Sequence, residues 1–413
     1  MEHFTTVTYQ MKREIFQFGK RLSKTTTKEW EKLTADMLFG ILASGSCVLS
    51  QMADVLHEGI KKKNTVERLG RKLLEKQPEQ IRQNFLRCVQ HNIDVKGAIY
   101  VDDTEVVKPY GRKFEALGLV RDASKPNPII EKGYHVTEIT GLTLGSKQPV
   151  SLYSHIHSSK EKNYLSINDV TYQALEEAFS VAPQATYVFD RGYDMNDLFT
   201  FMYQHNKRFV VRLTEKRKLF FKGKWYRAPL LRASHKGKIK TNVMFQGCKH
   251  NCYISCLNVR ITQGRKPLRL ILVYGLGETP MMLATNHSIQ SKEDAIRVVR
   301  MYFSRWRIEE YFRFKKQHFR FENFRVRSLR AMNALNQFLG YAIAFLALLT
   351  QKQDSSVLKT SVLCSANPQR EHVSFLMYRF GCGVLRILAR ARTGIREWFH
   401  IGRPKFMQLE FCL

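Results

Sequence analysis

Four residues within Tyr302 to Phe319, YFSRWRIEEYFRFKKQHF, set a carboxylate among cations and a hydroxyl at fixed intervals: Tyr302, Arg305, Glu309 and Lys316. No Gly or Pro interrupts the stretch, which predicts one continuous helix. At about 100° per residue the four side chains fall at roughly 0°, 300°, 340° and 320°, one narrow face. Taken alone, an acid between two cations on a helix is a solvated ladder of ion pairs. The spacing sets this one apart.

Tyr302, two residues, Arg305, three residues, Glu309, six residues, Lys316 resembles the Y-x2-R-x3-E-x6-K signature of the insertion-sequence-4 family of bacterial cut-and-paste transposases. The string RWRIEE, Arg305 to Glu310, is similar to the same segment in that family. The resemblance implies a ribonuclease-H-like catalytic domain in which Glu309 is the third carboxylate of an Asp-Asp-Glu metal site. Two Asp are then expected upstream, each ending a buried strand. Asp102-Asp103-Thr104 resembles the family's D-x-T and favours Asp102. Successive strand residues face opposite sides, so only one of Asp102 and Asp103 should enter the site, and the choice stays open. Asp190-RGY-Asp194 resembles the second Asp motif, with Asp190 the ligand and Asp194 an N-cap for the next helix. Such a site implies two Mg²⁺ ions, for which Mn²⁺ can substitute, one activating water and the other stabilising the leaving 3′ oxygen. Tyr302, Arg305 and Lys316 would contact DNA phosphates beside the scissile bond. One residue departs from the pattern: where well-known members carry an aromatic residue that stacks on a flipped base, this chain has Met281, which lacks a π face.

The elements around these residues follow from periodicity. Gly97-AIYV is a short apolar run ending at Asp102, and strands are predicted over 134–144 and 148–156. A helix over 167–179, a strand at Thr186-YVF ending at Asp190, a helix over 195–205 and a strand at Arg208-FVVRL follow. Three strands, helix, strand, helix, strand is the element order of a ribonuclease-H-like fold. Between about 214 and 288, short strands with basic turns predict the β-rich insertion that the family resemblance also implies. Its Lys and Arg, with Trp225 and Tyr226, are candidates for holding DNA near the cut. Cys248, Cys252 and Cys256 with His250 lie on one predicted strand, where residues four apart are ~13 Å from each other, too far to share a zinc ion.

The chain as a whole is organised to meet a polyanion. Of 413 residues, 67 are Lys or Arg and 36 are Asp or Glu, a net charge of +31 spread along the length. Nucleic acid is the default partner for such a field. No signal-peptide core, amphipathic anchor or lipidation signal is evident, and scattered Cys suit a reducing cytoplasm. The apolar run Ala331 to Leu349 contains Asn333, Asn336 and Gln337 and is expected as a buried helix, not a membrane span.

The predicted organisation is an α/β chain in three parts. Residues 1–92 form a helical DNA-binding domain, 93–328 the catalytic domain with its insertion, and 329–413 a helical C-terminal region. In the first part, helices over 33–42, 48–56 and 65–74 are predicted. The last two, flanking a turn with Lys61, Lys62 and Lys63, resemble a helix-turn-helix as closely as a plain bundle. Residues 351–372 are expected as a loop and 373–399 as a helix bearing Arg386, Arg390, Arg392 and Arg396. The function these features imply is a DNA transposase that binds its element's terminal inverted repeats, cleaves and joins strands to target DNA, and works as a homodimer. A catalytically inactive end-binding protein and a metal-dependent nuclease on the same fold are the alternatives.

Overall fold

The computed structural model describes residues 2–122, 129–245, 248–262, 264–277, 279–353, 356–368 and 375–400. Five helices open the chain: α1 (Glu2–Leu22), α2 (Lys28–Ser44), α3 (Leu49–Leu56), α4 (Lys62–Leu74) and α5 (Glu79–Gln90). Thr27 caps the start of α2 through Trp30 N. Gly45 ends it in the left-handed region, φ 59°, with its N–H on Ile41 O at 2.9 Å, a geometry that favours glycine. Helix α4 begins at Lys62, three residues before the predicted start, and buries Thr65, Leu69 and Leu73 while Lys61, Lys62 and Lys63 stay exposed.

The first strands then follow, with two helices among them, as β1 (Ala98–Val107), β2 (Gly118–Asp122), β3 (Ile129–Leu142), β4 (Pro149–His157), α6 (Ile167–Val181), β5 (Thr186–Phe189), α7 (Asn196–Gln204) and β6 (Arg208–Arg212). Strand β1 pairs antiparallel with β3 on one side and parallel with β5 on the other, and β5 pairs parallel with β6. Strands β2 and β4 line the far edge of β3 in succession. The architecture is a mixed sheet in an α/β fold. Two expectations are corrected here. Strand β1 runs through Asp102 and Asp103 to Val107 because its antiparallel register with β3 continues to Gly133, and β2 is an additional short edge strand.

The next strands are β7 (Lys218–Phe221) and β8 (Lys224–Arg227), followed by α8 (Ala228–Ala233), β9 (Ile239–Phe245), β10 (Cys248–Ile261), β11 (Lys266–Tyr274) and β12 (Met281–Thr285). They extend the same sheet, because β12 pairs antiparallel with β6 and then with β11. All five residues of β12 are buried, as a central strand requires. Met281 is among them. Cys248, Cys252 and Cys256 lie along β10 as free thiols.

The last elements are α9 (Lys292–Phe303), α10 (Trp306–Gln317), α11 (Leu329–Thr350), α12 (Val357–Ser365), α13 (Met377–Leu388) and α14 (Glu397–His400). The predicted single helix from Tyr302 is therefore two helices. Ser304 closes α9, its Oγ donating to Arg300 O at 2.7 Å and Met301 O at 3.1 Å, and the backbone bonds from Arg307 N to Ser304 O and Ile308 N to Arg305 O tighten to i, i−3. Local back-bonding by a serine hydroxyl competes with a straight helix, an effect that residue spacing does not reveal. Likewise 351–372 contains α12, and 373–399 is interrupted after α13; residues 369–374 and 401–413 lie outside the described residues. Helix α11 is long and apolar enough to cross a bilayer, yet it is mostly buried in the fold against β4, α2, α4 and α13. Helix α1 packs on α13, so the two ends of the chain share one helical body. Gly394 comes so close to α3 that a Cβ there would meet Leu56 O at 1.9 Å.

Candidate active site

The parallel register of β1 and β5 pairs Val101 with Phe189, which makes Asp102 and Asp190 the next residues on adjacent strands. Asp190 leaves β5 in extended conformation at the start of the tight turn Arg191–Tyr193, its side chain making no capping bond. Opposite them, α9 and α10 bring in the signature residues. A capping box between Ser291 and Asp294 fixes the start of α9, a device worth about 1 kcal/mol. At the other end of α9, Tyr302 donates its hydroxyl to Asp190 Oδ1 at 3.3 Å. Burial, then the Asp190 charge, pushes that phenol up to about 12, so it stays a donor at neutral pH.

Arg305 is the hub. Its Nη1 donates to Asp102 Oδ2 at 2.7 Å and its Nη2 to Glu309 Oε1 at 2.5 Å, with Asp190 Oδ1 3.9 Å away. Three carboxylates from two strands and a helix thus face one guanidinium. Exposure rises outward from Asp102 at 20% through Asp190 at 33% to Glu309 at 51%. Burial pushes the Asp102 carboxyl up to about 7; Arg305 opposes this, while Asp190 and Asp103 add to it. A site that keeps excess negative charge around one cation, with an open outer side, favours further positive charge.

Asp103 points to the other face of β1. Its carboxylate accepts from Thr137 Oγ1 at 2.6 Å and Tyr193 OH at 2.5 Å, and burial raises it despite these bonds. The alternation of strand residues that left Asp102 and Asp103 open thus separates them, one toward Arg305 and one into the protein. Asp194 does not cap α7. It is buried and accepts from Thr214 N and Oγ1, both at 2.8 Å, and from Arg217 Nε at 2.7 Å, tying the Asp190 turn to the start of the insertion. Lys316 lies farther along α10 and pairs with Glu322 at 3.3 Å, away from the three carboxylates. The structure therefore gathers Asp102, Asp190, Glu309, Tyr302 and Arg305, and sets Lys316 apart.

The donor set fits hard divalent cations, which take carboxylate oxygens. Among the described residues, no three His, Cys, Asp or Glu side chains come close enough to share an ion, because the Arg305 guanidinium stands between these carboxylates. Sequence reasoning missed one buried cluster behind the site, Glu138 with Lys315. A signal was present: Ile308, Tyr311, Phe312 and Lys315 share the apolar stripe of α10, and Glu138 interrupts the apolar run of β3.

Residues 167–346 match the family model of the transposase DDE domain. The match begins at α6 and includes Asp190 and Glu309. No curated protein matches the chain. The matched domain marks an enzyme that transfers phosphoryl groups on DNA. The match indicates a DDE transposase.

Proposed function

We propose that the chain is a cut-and-paste transposase of the insertion-sequence-4 type, which binds the terminal inverted repeats of its own element and joins the freed ends to target DNA. The observation that carries this reading is the convergence of Asp102, Asp190 and Glu309 on Arg305. The strand order β4-β3-β1-β5-β6, with β1–β5–β6 parallel and the rest antiparallel, supports a ribonuclease-H-like catalytic domain between a helical N-terminal part and a helical C-terminal part. Asp102, Asp190 and Glu309 would hold two divalent ions, Mg²⁺ with Mn²⁺ as substitute, which supply Lewis acidity toward the scissile phosphate and a water of lowered pKa. Tyr302 orients Asp190 through its hydroxyl. Tyr302, Arg305 and Lys316 would contact phosphates beside the scissile bond, the two cations supplying charge and the Tyr hydroxyl a donor. With Met281 buried in β12, the support for this reading does not extend to base flipping through that residue. The net charge of +31 supports DNA as partner. The reading further takes the bacterial cytoplasm as the compartment and a homodimer as the synaptic form.

The test is cleavage and joining of a labelled duplex carrying the element's end, in Mg²⁺, Mn²⁺, Ca²⁺ and chelator. Metal-dependent nicking followed by a joined product is expected, with Asp190→Ala and Glu309→Gln losing cleavage by at least about 10³-fold while end binding stays near wild type. Equal loss of binding in those variants would overturn the ligand assignment.

A further inference from the structure

Directly across β1 from Asp102, the antiparallel register places Glu138 of β3. Its side chain is fully buried. Oε2 accepts from Lys315 Nζ at 2.9 Å and Ser154 Oγ at 2.7 Å, and Oε1 accepts from Ser151 Oγ. Ser154 Oγ in turn accepts from Lys315 Nζ at 3.1 Å and Asn336 Nδ2 at 2.7 Å. The cluster joins β3, β4, α10 and α11. Lys315 is 1% exposed and has Phe321 and Tyr311 rings around its ammonium, 4.7 Å and 5.6 Å to the centroids.

A fully buried ion pair is a poor source of stability, because desolvation of both charges offsets their attraction, and a hydrophobic pair of similar volume often does as well. What such a pair does enforce is register. Shifting α10 by one residue moves Lys315 by about 1.5 Å and rotates it by about 100°, leaving an ammonium and a carboxylate bare in the core. Glu309 lies six residues before Lys315 on the same helix, about 240° around it, so the face that presents Glu309 outward drives Lys315 inward. The Glu138 end of the pair is one strand from Asp102.

We propose that Lys315 and Glu138 are positioning residues for the phosphoryl-transfer site, the buried pair between α10 and β3 fixing where Glu309 stands relative to Asp102. The inference rests on the assignment of Asp102, Asp190 and Glu309 as metal ligands. A displacement of about 1 Å between reacting groups is enough to cost about 10²-fold in rate.

The test compares full-length wild type with the double variant Glu138→Met/Lys315→Met, which removes both charges at once, and with Lys315→Arg, which retains the charge but changes its reach. Three quantities are read: thermal midpoint, Mn²⁺ affinity of the DNA-free protein by electron paramagnetic resonance, and single-turnover cleavage with end binding measured separately. The double variant is expected to melt within a few degrees of wild type, bind Mn²⁺ about tenfold more weakly and cleave about 10²-fold more slowly at unchanged end affinity. Lys315→Arg is expected to fall between the two, and it carries the test alone if the double variant does not fold. Wild-type Mn²⁺ affinity and cleavage in a folded variant would overturn the positioning role. Asp190→Ala and Glu309→Gln are run alongside: if they too leave Mn²⁺ affinity and cleavage unchanged, the ligand assignment itself fails and the positioning role falls with it.

Discussion

Two charge clusters in this molecule are built from the same residue types and do opposite things. In the helical body, Asp36 of α2 is fully buried and accepts from Arg68 Nη1 at 2.9 Å and Arg396 Nη2 at 2.9 Å, while Glu58 accepts from Arg68 Nη2 at 2.7 Å and Arg396 Nε at 2.9 Å. Two acids meet two arginines, and the charges close on one another. At the candidate site three carboxylates meet Arg305, and Glu309 is half exposed. The balanced cluster has nothing left to bind and ties the C-terminal segment to α2 and α4. The unbalanced one retains an appetite for cations and an open side through which to satisfy it. Charge balance and exposure, more than the presence of acids, separate a structural network from a reactive one.

Breaking the balanced cluster should be felt in stability. Asp36→Ala leaves two partly buried guanidinium groups with Glu58 alone to accept from both, and a loss of about 3 kcal/mol is expected in urea unfolding, with cleavage per folded molecule unchanged. A large loss of cleavage at unchanged stability would erase the distinction between the clusters.

The unbalanced cluster should respond to pH and metal instead. The Asp102 carboxyl lies at about 7 in the folded state against an ordinary 3.8, so the folded chain holds that proton more tightly than the unfolded chain. Its favourable contribution is present below the ordinary carboxylate range and is lost as pH rises toward about 7. Without metal, the thermal midpoint is expected to fall between pH 5 and pH 8, and Asp102→Asn should flatten that fall. Mn²⁺ affinity should weaken by about tenfold per pH unit below pH 7, where a proton must leave for the ion to bind.

Arg305→Ala sharpens the comparison further. It removes the cation that pairs with Asp102 and Glu309 and is expected to weaken end binding by about tenfold, lower the slope of binding against salt by about 1, and push Asp102 still higher. The smallest effect is expected at Asp103, whose carboxylate is satisfied by Thr137 and Tyr193. Asp103→Asn should cost about 1 kcal/mol in unfolding and leave cleavage near wild type. A loss of cleavage as deep as that of Asp190→Ala would return Asp103 to the site.

By itself the sequence determined the elements whose signals lie within a few residues. Apolar alternation marked β4, short apolar runs marked β5 and β6, helical spacing marked α3, α6 and α11, and strongly basic composition marked a polyanion partner. Spacing and motif also placed Asp102, Asp190, Arg305 and Glu309 on the short roster of candidates, and all four meet in space. Tertiary structure decided what depends on distant partners. The break at Ser304 rests on a hydroxyl turned back on its own helix. The separation of Asp103 from Asp102 rests on Tyr193, 90 residues away. Asp194 was claimed by Arg217 and Thr214 rather than by α7, the insertion joined the main sheet through β6, and the C-terminal segment docked on α3. Local periodicity is written into neighbouring residues. The pairing of buried charges is not, because each partner is chosen by desolvation and geometry only once the chain has brought the two together.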